Sequence, residues 1–121
     1  MMEIQKRLSA VFFKMEFGKE PVRIFLKSLE NNDKKSVGAD IMAVEMLWPI
    51  GYPKVRKLDT DIWEIRSDIS NKRICRIFFT ILRKEMVLLH AIIKKTQKTP
   101  IGDLKLALKR KNLVLGGKNE Y

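Results

Sequence analysis

The stretch Ile74-Cys75-Arg76-Ile77-Phe78-Phe79-Thr80-Ile81-Leu82 constrains the fold of this chain more than any other. In an extended chain successive side chains point to opposite faces. Cys75, Ile77, Phe79 and Ile81 then share one wholly apolar face, and Arg76 stands on the other beside Ile74 and Phe78. The earlier run Ile62-Trp63-Glu64-Ile65-Arg66 repeats the arrangement, with Trp63 and Ile65 on an apolar face and Glu64 and Arg66 opposite. A hairpin through the polar segment Ser67 to Lys72 would bring Arg66 and Arg76 to the same face. Two arginines in that position either solvate an exposed antiparallel face or form a binding surface. A third run, Met86 to Ile93, leads at once into Lys94-Lys95-Thr96-Gln97-Lys98-Thr99-Pro100, so further cations leave the sheet where a strand ends and a helix begins.

The remaining segments supply the layers around this sheet. Ser9 to Phe17 reads as a first strand with Val11, Phe13, Met15 and Phe17 on one face, ended by Gly18. Glu20-Pro21 opens a helix whose stripe is Val22, Phe25, Leu26 and Leu29. Asn31-Asn32 breaks it, and Asp33 caps a second helix with Val37, Ile41, Val44 and Trp48 in its stripe and Met42, Met46 and Leu47 beside them. Pro49, Gly51 and Pro53 stop that helix, and Lys54 to Leu58 is a short strand leading into the hairpin. Thr99 is the expected N-cap of a last helix with Ile101, Leu104 and Leu108 as its apolar stripe and Lys105, Lys109, Arg110 and Lys111 on its other faces. Residues 112 to 121 are expected to form a disordered tail. The fold class is α+β, a small antiparallel or mixed sheet of about four to five strands with two N-terminal helices and one C-terminal helix. All 121 residues make a single domain.

Composition narrows the function. Apolar residues at 45% with charged residues at 32% describe a globular chain rather than a disordered one. No apolar run approaches the roughly 18 residues of a membrane span, and Met1 to Arg7 lacks the apolar core of a signal peptide, so a cytoplasmic protein is expected. A single cysteine, Cys75, and a single histidine, His90, leave no internal disulfide and no ordinary zinc site, and no metal or cofactor is expected. Cys75 lies among core residues and reads as a small buried hydrophobe. His90 is the only imidazole for acid or base work, although its place in a strand also suits a structural role. The net charge is +11, and it is localised: residues 54 to 111 carry 16 Lys/Arg against 6 Asp/Glu, whereas residues 1 to 53 carry 8 against 7. Such an excess points to a polyanionic partner, and to nucleic acid rather than a membrane, since no basic amphipathic helix with exposed apolar bulk stands out.

Several words of the sequence carry a family resemblance: Pro21-Val22-Arg23-Ile24-Phe25-Leu26, Gly51-Tyr52-Pro53, Lys57-Leu58, Trp63-Glu64-Ile65-Arg66, Arg76-Ile77-Phe78-Phe79, and Leu88-Leu89-His90-Ala91 running into Lys94 to Pro100. Together they resemble the HigB-like branch of the RelE toxin superfamily, including its phage-derived members, over about Ala10 to Lys111. That resemblance implies the RelE-like fold and a ribosome-dependent endoribonuclease, the toxin of a toxin-antitoxin pair, which inhibits translation by cutting messenger RNA in the ribosomal decoding site. It implies a HigA-like helix-turn-helix antitoxin as partner, alongside the messenger and the ribosome. In such enzymes the RNA 2′-hydroxyl attacks the adjacent phosphate, and the protein orients the attack and stabilises the charge that builds there. Carried over residue by residue, the expected catalytic groups are Arg76, Arg66, Lys95, Lys98 and His90, with Glu64 and His90 as alternative bases. Lys57, Arg73, Lys94, Lys105 and Lys109 are the expected RNA-binding residues. Arg76 in particular is expected to present its side chain to the substrate, so that its removal would leave stability little changed. A tyrosine near the end of the sheet and the paired histidines of a conventional ribonuclease are both missing, the only tyrosines being Tyr52 and Tyr121. The alternative reading is a basic nucleic-acid-binding protein without catalysis, a decayed phage relic.

Overall fold

A computed structural model describes residues 5–94 and 98–117. Five strands form one sheet in the order β1-β5-β4-β3-β2. They are β1 (Ser9–Phe12), β2 (Val55–Asp59), β3 (Ile62–Ile69), β4 (Arg73–Leu82) and β5 (Glu85–Lys94). The helices are α1 (Pro21–Lys27), α2 (Asn31–Leu47) and α3 (Ile101–Leu115). Strands β2 to β5 form an antiparallel meander, and β1 adds to its β5 edge in parallel. The architecture is therefore the expected α+β one with a mixed sheet.

Alternation along β3 and β4 sorts the side chains as the sequence implies. Ile65, Cys75, Ile77 and Phe79 lie in a cluster with Val22 of α1 and Val37 and Val44 of α2. Trp48 and Trp63 close one end of it, edge-on to each other at 5.4 Å, and both pack on Phe79. Ile62 and Phe78, from the opposite face, pack with Ala107 and Val114 of α3. The sheet is thus the middle layer of three, with α1 and α2 on one side and α3 on the other. Within the first cluster Cys75 is fully buried, and desolvation pushes its thiol up to about 12, with Asp33 and Asp40 adding to the effect. It is a packing residue.

Local differences from the sequence pattern have physical causes. The first strand stops at Phe12, because Met15 N–H turns to Lys19 O and a short 3-10 turn, Glu16–Gly18, follows. Met15 and Phe17, expected on a buried face, are exposed. The break between the first two helices falls at Ser28 to Glu30, and Asn31 and Asn32 belong to the first turn of α2. Asp33 is no cap; its carboxylate accepts from Ser70 N–H at 3.0 Å and meets Arg73 at 3.2 Å, tying α2 to the β3–β4 turn. Those bonds, the Ser70 amide foremost, hold the Asp33 carboxyl below its ordinary range. Met42 and Leu47 face solvent rather than flanking the α2 stripe. In α3 the buried residues are Ala107 and Val114, with Leu108 beside them, while Ile101 is exposed. The helix runs through Leu115, so residues 112 to 115 are not a tail; 118–121 lie outside the described residues.

The β3–β4 turn is tighter than the polar segment suggests, since β3 runs to Ile69 and both Asn71 and Lys72 adopt left-handed backbone, the geometry that suits a two-residue hairpin loop. The β4–β5 pair contains a bulge: Phe78 faces His90, but Phe79 faces Leu88. Leu89 is the extra residue, and it shifts the alternation by one. Leu88 and Ala91 stay in the α1/α2 cluster, whereas Leu89 and His90 both turn toward α3.

Candidate nucleic-acid interface

On the α3 side of the sheet, α3 covers the half around Phe78, Val87 and Leu89. Over the other half the strand registers collect charge. Arg56 of β2 faces Glu64 of β3, Arg66 of β3 faces Arg76 of β4, and Ile74 of β4 faces Lys94 of β5. Partners across a pair share a face, so Arg56, Glu64, Arg66, Arg76 and Lys94 all point to this side.

At its base lies a compact polar network. Glu64 and Arg76 are both fully buried, with Arg76 Nη1 3.5 Å from Glu64 Oε1. Arg56 Nη2 lies 3.7 Å from the same oxygen. Thr99, which leads into α3, donates its hydroxyl to Glu64 Oε2 at 3.0 Å and accepts from Arg56 Nη2 at 3.0 Å. Thr99 is therefore not the cap of α3, a place that Pro100 takes; a buried carboxylate needs donors, and Thr99 is one. Burial pushes the Arg76 pKa down, Glu64 pulls it up, and Arg66 and Arg56 push it down again. Both oxygens of Glu64 are engaged and none of its surface is exposed, which is poor geometry for a proton acceptor.

One carboxylate thus holds two guanidinium groups, those of Arg56 and Arg76, and Arg66 is the cross-strand partner of Arg76. Arg66 is half-buried and makes no side-chain hydrogen bond among the described residues, and the Nε atoms of Arg56 and Arg66 are buried without a partner among them. Planar guanidiniums with donors to spare suit phosphate oxygens. The expectation that Arg76 presents itself to substrate, with little effect on stability when removed, is corrected here: Arg76 is interior, and the more accessible arginines are Arg66 and Arg56.

Of the other expected site residues, Lys94 ends β5 on this face and Lys98 is exposed one residue before Thr99. Lys95 lies outside the described residues. His90 sits two pairs along the β4–β5 ladder from Arg76, its ring stacked on Phe78 and its Nε2 2.7 Å from Asp103 Oδ1 of α3. Arg73 is turned to the α2 side and held by Asp33 and Ser70. Lys57 lies over the Trp63 ring at 5.8 Å, a ring of the α1/α2 face. Lys105 and Lys109 are exposed on α3 and make no ion pair among the described residues. The structure therefore gathers Arg66, Arg76, Lys94 and Lys98, places His90 alongside, and leaves Lys57 and Arg73 elsewhere. Arg56 was not singled out by sequence; the signal was its alternation within Lys54 to Leu58, which puts it opposite Glu64 once the β2–β3 hairpin is drawn.

A family model described as "Phage derived protein Gp49-like (DUF891)" matches residues 24–112, which span everything from α1 to α3 that builds this face. The chain belongs to that family. No curated protein matches it. In this Gp49-like protein the matched region contains every member of the arginine network, Arg56, Glu64, Arg66, Arg76 and Thr99. Among its described residues no cluster of three or more His, Cys, Asp or Glu is placed to hold a metal ion, and none of its helices is long and apolar enough to cross a membrane.

Proposed function

We propose that this Gp49-like protein is the toxin of a toxin-antitoxin pair, an endoribonuclease that cuts messenger RNA on the ribosome and is neutralised by a helix-turn-helix partner protein. The observation that carries this reading is the convergence of Arg56, Arg66, Arg76 and Lys94 on the part of one sheet face that α3 leaves uncovered, against a single buried acid. Membership of a phage-derived family related to the RelE and HigB toxins supports it.

The chemistry follows from the arrangement. Arg66 and Arg56 hold the scissile phosphate by its non-bridging oxygens and stabilise the charge that grows as the 2′-hydroxyl attacks; a well-placed donor of this kind contributes about 3 to 4 kcal/mol. Arg76 adds its field from below, and Glu64 and Thr99 fix the Arg56 and Arg76 guanidiniums in place, lowering the reorganisation the reaction would otherwise need. His90 is the proton acceptor: with Nε2–H donated to Asp103, Nδ1 carries the free lone pair. The bond from phosphorus to the 5′ oxygen breaks as the 2′ oxygen bonds to phosphorus, the leaving oxygen takes a proton from water, and a 2′,3′-cyclic phosphate remains. Lys94 and Lys98 extend the positive surface along the RNA backbone.

Induction of the protein alone is expected to halt growth and translation, with new 5′ ends in messenger RNA mapped by primer extension. Co-expression of a helix-turn-helix protein encoded beside it should restore both. Unimpaired growth and intact messengers in cells holding folded protein would instead leave the non-catalytic nucleic-acid-binding alternative.

A further inference from the structure

A groove of about 820 Å³ runs between the segment after β1 and α3, and it shares no residue with the arginine network. Phe13, Leu106 and Leu113 give it an apolar lining, Lys14, Lys109 and Arg110 a basic one, and Glu16 is the one carboxylate among its lining residues. Arg110 is fixed in place, donating to Leu89 O at 2.8 Å with its guanidinium 5.3 Å from the Phe13 ring centroid. At the mouth stands Phe17, fully exposed, with φ 66° and ψ 14°. Left-handed backbone is unfavourable for a bulky residue with a β-carbon. Phe17 therefore neither fills the core nor suits its own backbone, and Met15 beside it is also exposed. A large apolar side chain presented in this way, next to an apolar groove with a basic rim, has the form of an interface anchor.

We propose that this groove and Phe17 dock an acidic amphipathic helix of another protein, its apolar face seated on Phe17, Leu106 and Leu113, and its carboxylates against Lys109. Charge selects that occupant. A second copy of a chain with net charge +11 would bring cation to cation. RNA would set its phosphates beside Glu16 at the point where a base would stack on Phe17. Nothing in the cleavage reaction proposed above uses this surface, so the inference stands apart from that reading.

The test titrates the isotopically labelled full-length protein with a synthetic helical peptide carrying leucines on one face and glutamates on the other. A matched peptide with lysines in place of glutamates runs alongside. Saturable amide shifts confined to Phe13 through Gly18 and Leu106 through Leu113 are expected with the acidic peptide only. Phe17→Ser and Lys109→Glu, both at exposed positions, should weaken that binding at least 10-fold without lowering the melting temperature. Equal binding of the lysine peptide, shifts spread over the basic surface at large, or no saturable binding overturns the proposal. So does a uridine decanucleotide that shifts the same amides in a Phe17-dependent way, which would make the surface a nucleic-acid site. A concentration-dependent doubling of mass that Phe17→Ser abolishes would make it a self-association face, and overturns the proposal equally.

Discussion

Arg66 and Arg76 are direct partners across β3 and β4, yet their surroundings make them different experiments. Arg76 is fully buried against Glu64, so Arg76→Ala leaves a buried carboxylate short of one counter-charge; loss of one partner of a buried pair costs about 3 kcal/mol or more. Arg66 is half-buried with donors to spare, and Arg66→Ala should leave the urea midpoint nearly unchanged while cleavage on translating ribosomes falls by about 10²-fold or more. Denaturation curves and cleavage rates measured on both variants check this; normal cleavage by folded Arg66→Ala would remove it from the phosphate site. Pairing Arg76→Met with Glu64→Gln should recover part of the stability lost in Arg76→Ala, since the pair is removed together, and no recovery would mean that Arg76 is held by more than Glu64.

Among the elements, those with local rules were legible and those with distant partners were not. The faces of β3 and β4 followed from alternation alone, because each residue commits to one side of the pleat. The orientation of His90 did not, because a single extra residue, Leu89, inverts the alternation and leaves no mark in residue type. Asp33 and Thr99 have the residue types and positions of helix caps, but each spends its oxygens on a residue of the sheet or its turns far along the chain, Ser70 and Glu64. The arginine face was half visible for the same reason: Arg66 and Arg76 share one hairpin, whereas Arg56 joins them only through a second. Asp33 also yields a pH prediction. Its folded-state pKa is depressed, so the stability it contributes is complete above the unfolded value near 4 and drains away as pH falls through the folded value. Asp33→Asn should accordingly lower the urea midpoint at neutral pH and flatten its decline in acid; an unaltered acid limb would show that Asp33 does not clamp α2 to the β3–β4 turn.

For the molecule as a whole, the charge map predicts how RNA is held. If Arg56, Arg66, Lys94 and Lys98 each meet a phosphate, binding to single-stranded RNA should follow a log–log salt slope of about −3, a loss of roughly 50-fold between about 50 and 200 mM salt. Lys27→Ala and Lys35→Ala, exposed on the α1/α2 layer, should leave both affinity and slope unchanged, as measured by fluorescence anisotropy. Equal losses from these lysines would mean that no single face carries the binding. The parallel pairing of β1 with β5 has a consequence in time rather than in space. Strands β2 to β5 join through tight hairpins and can zip together as they emerge from the ribosome, but Ser9 must wait for Glu85 and Phe12 for Leu88. Closing so long a loop is slow. The first strand to be synthesised is thus the last of the sheet to find its neighbour, and Thr99 and α3, which complete the arginine face, are made later still. A nascent chain of this protein therefore carries no finished arginine face until Thr99 and α3 have been made.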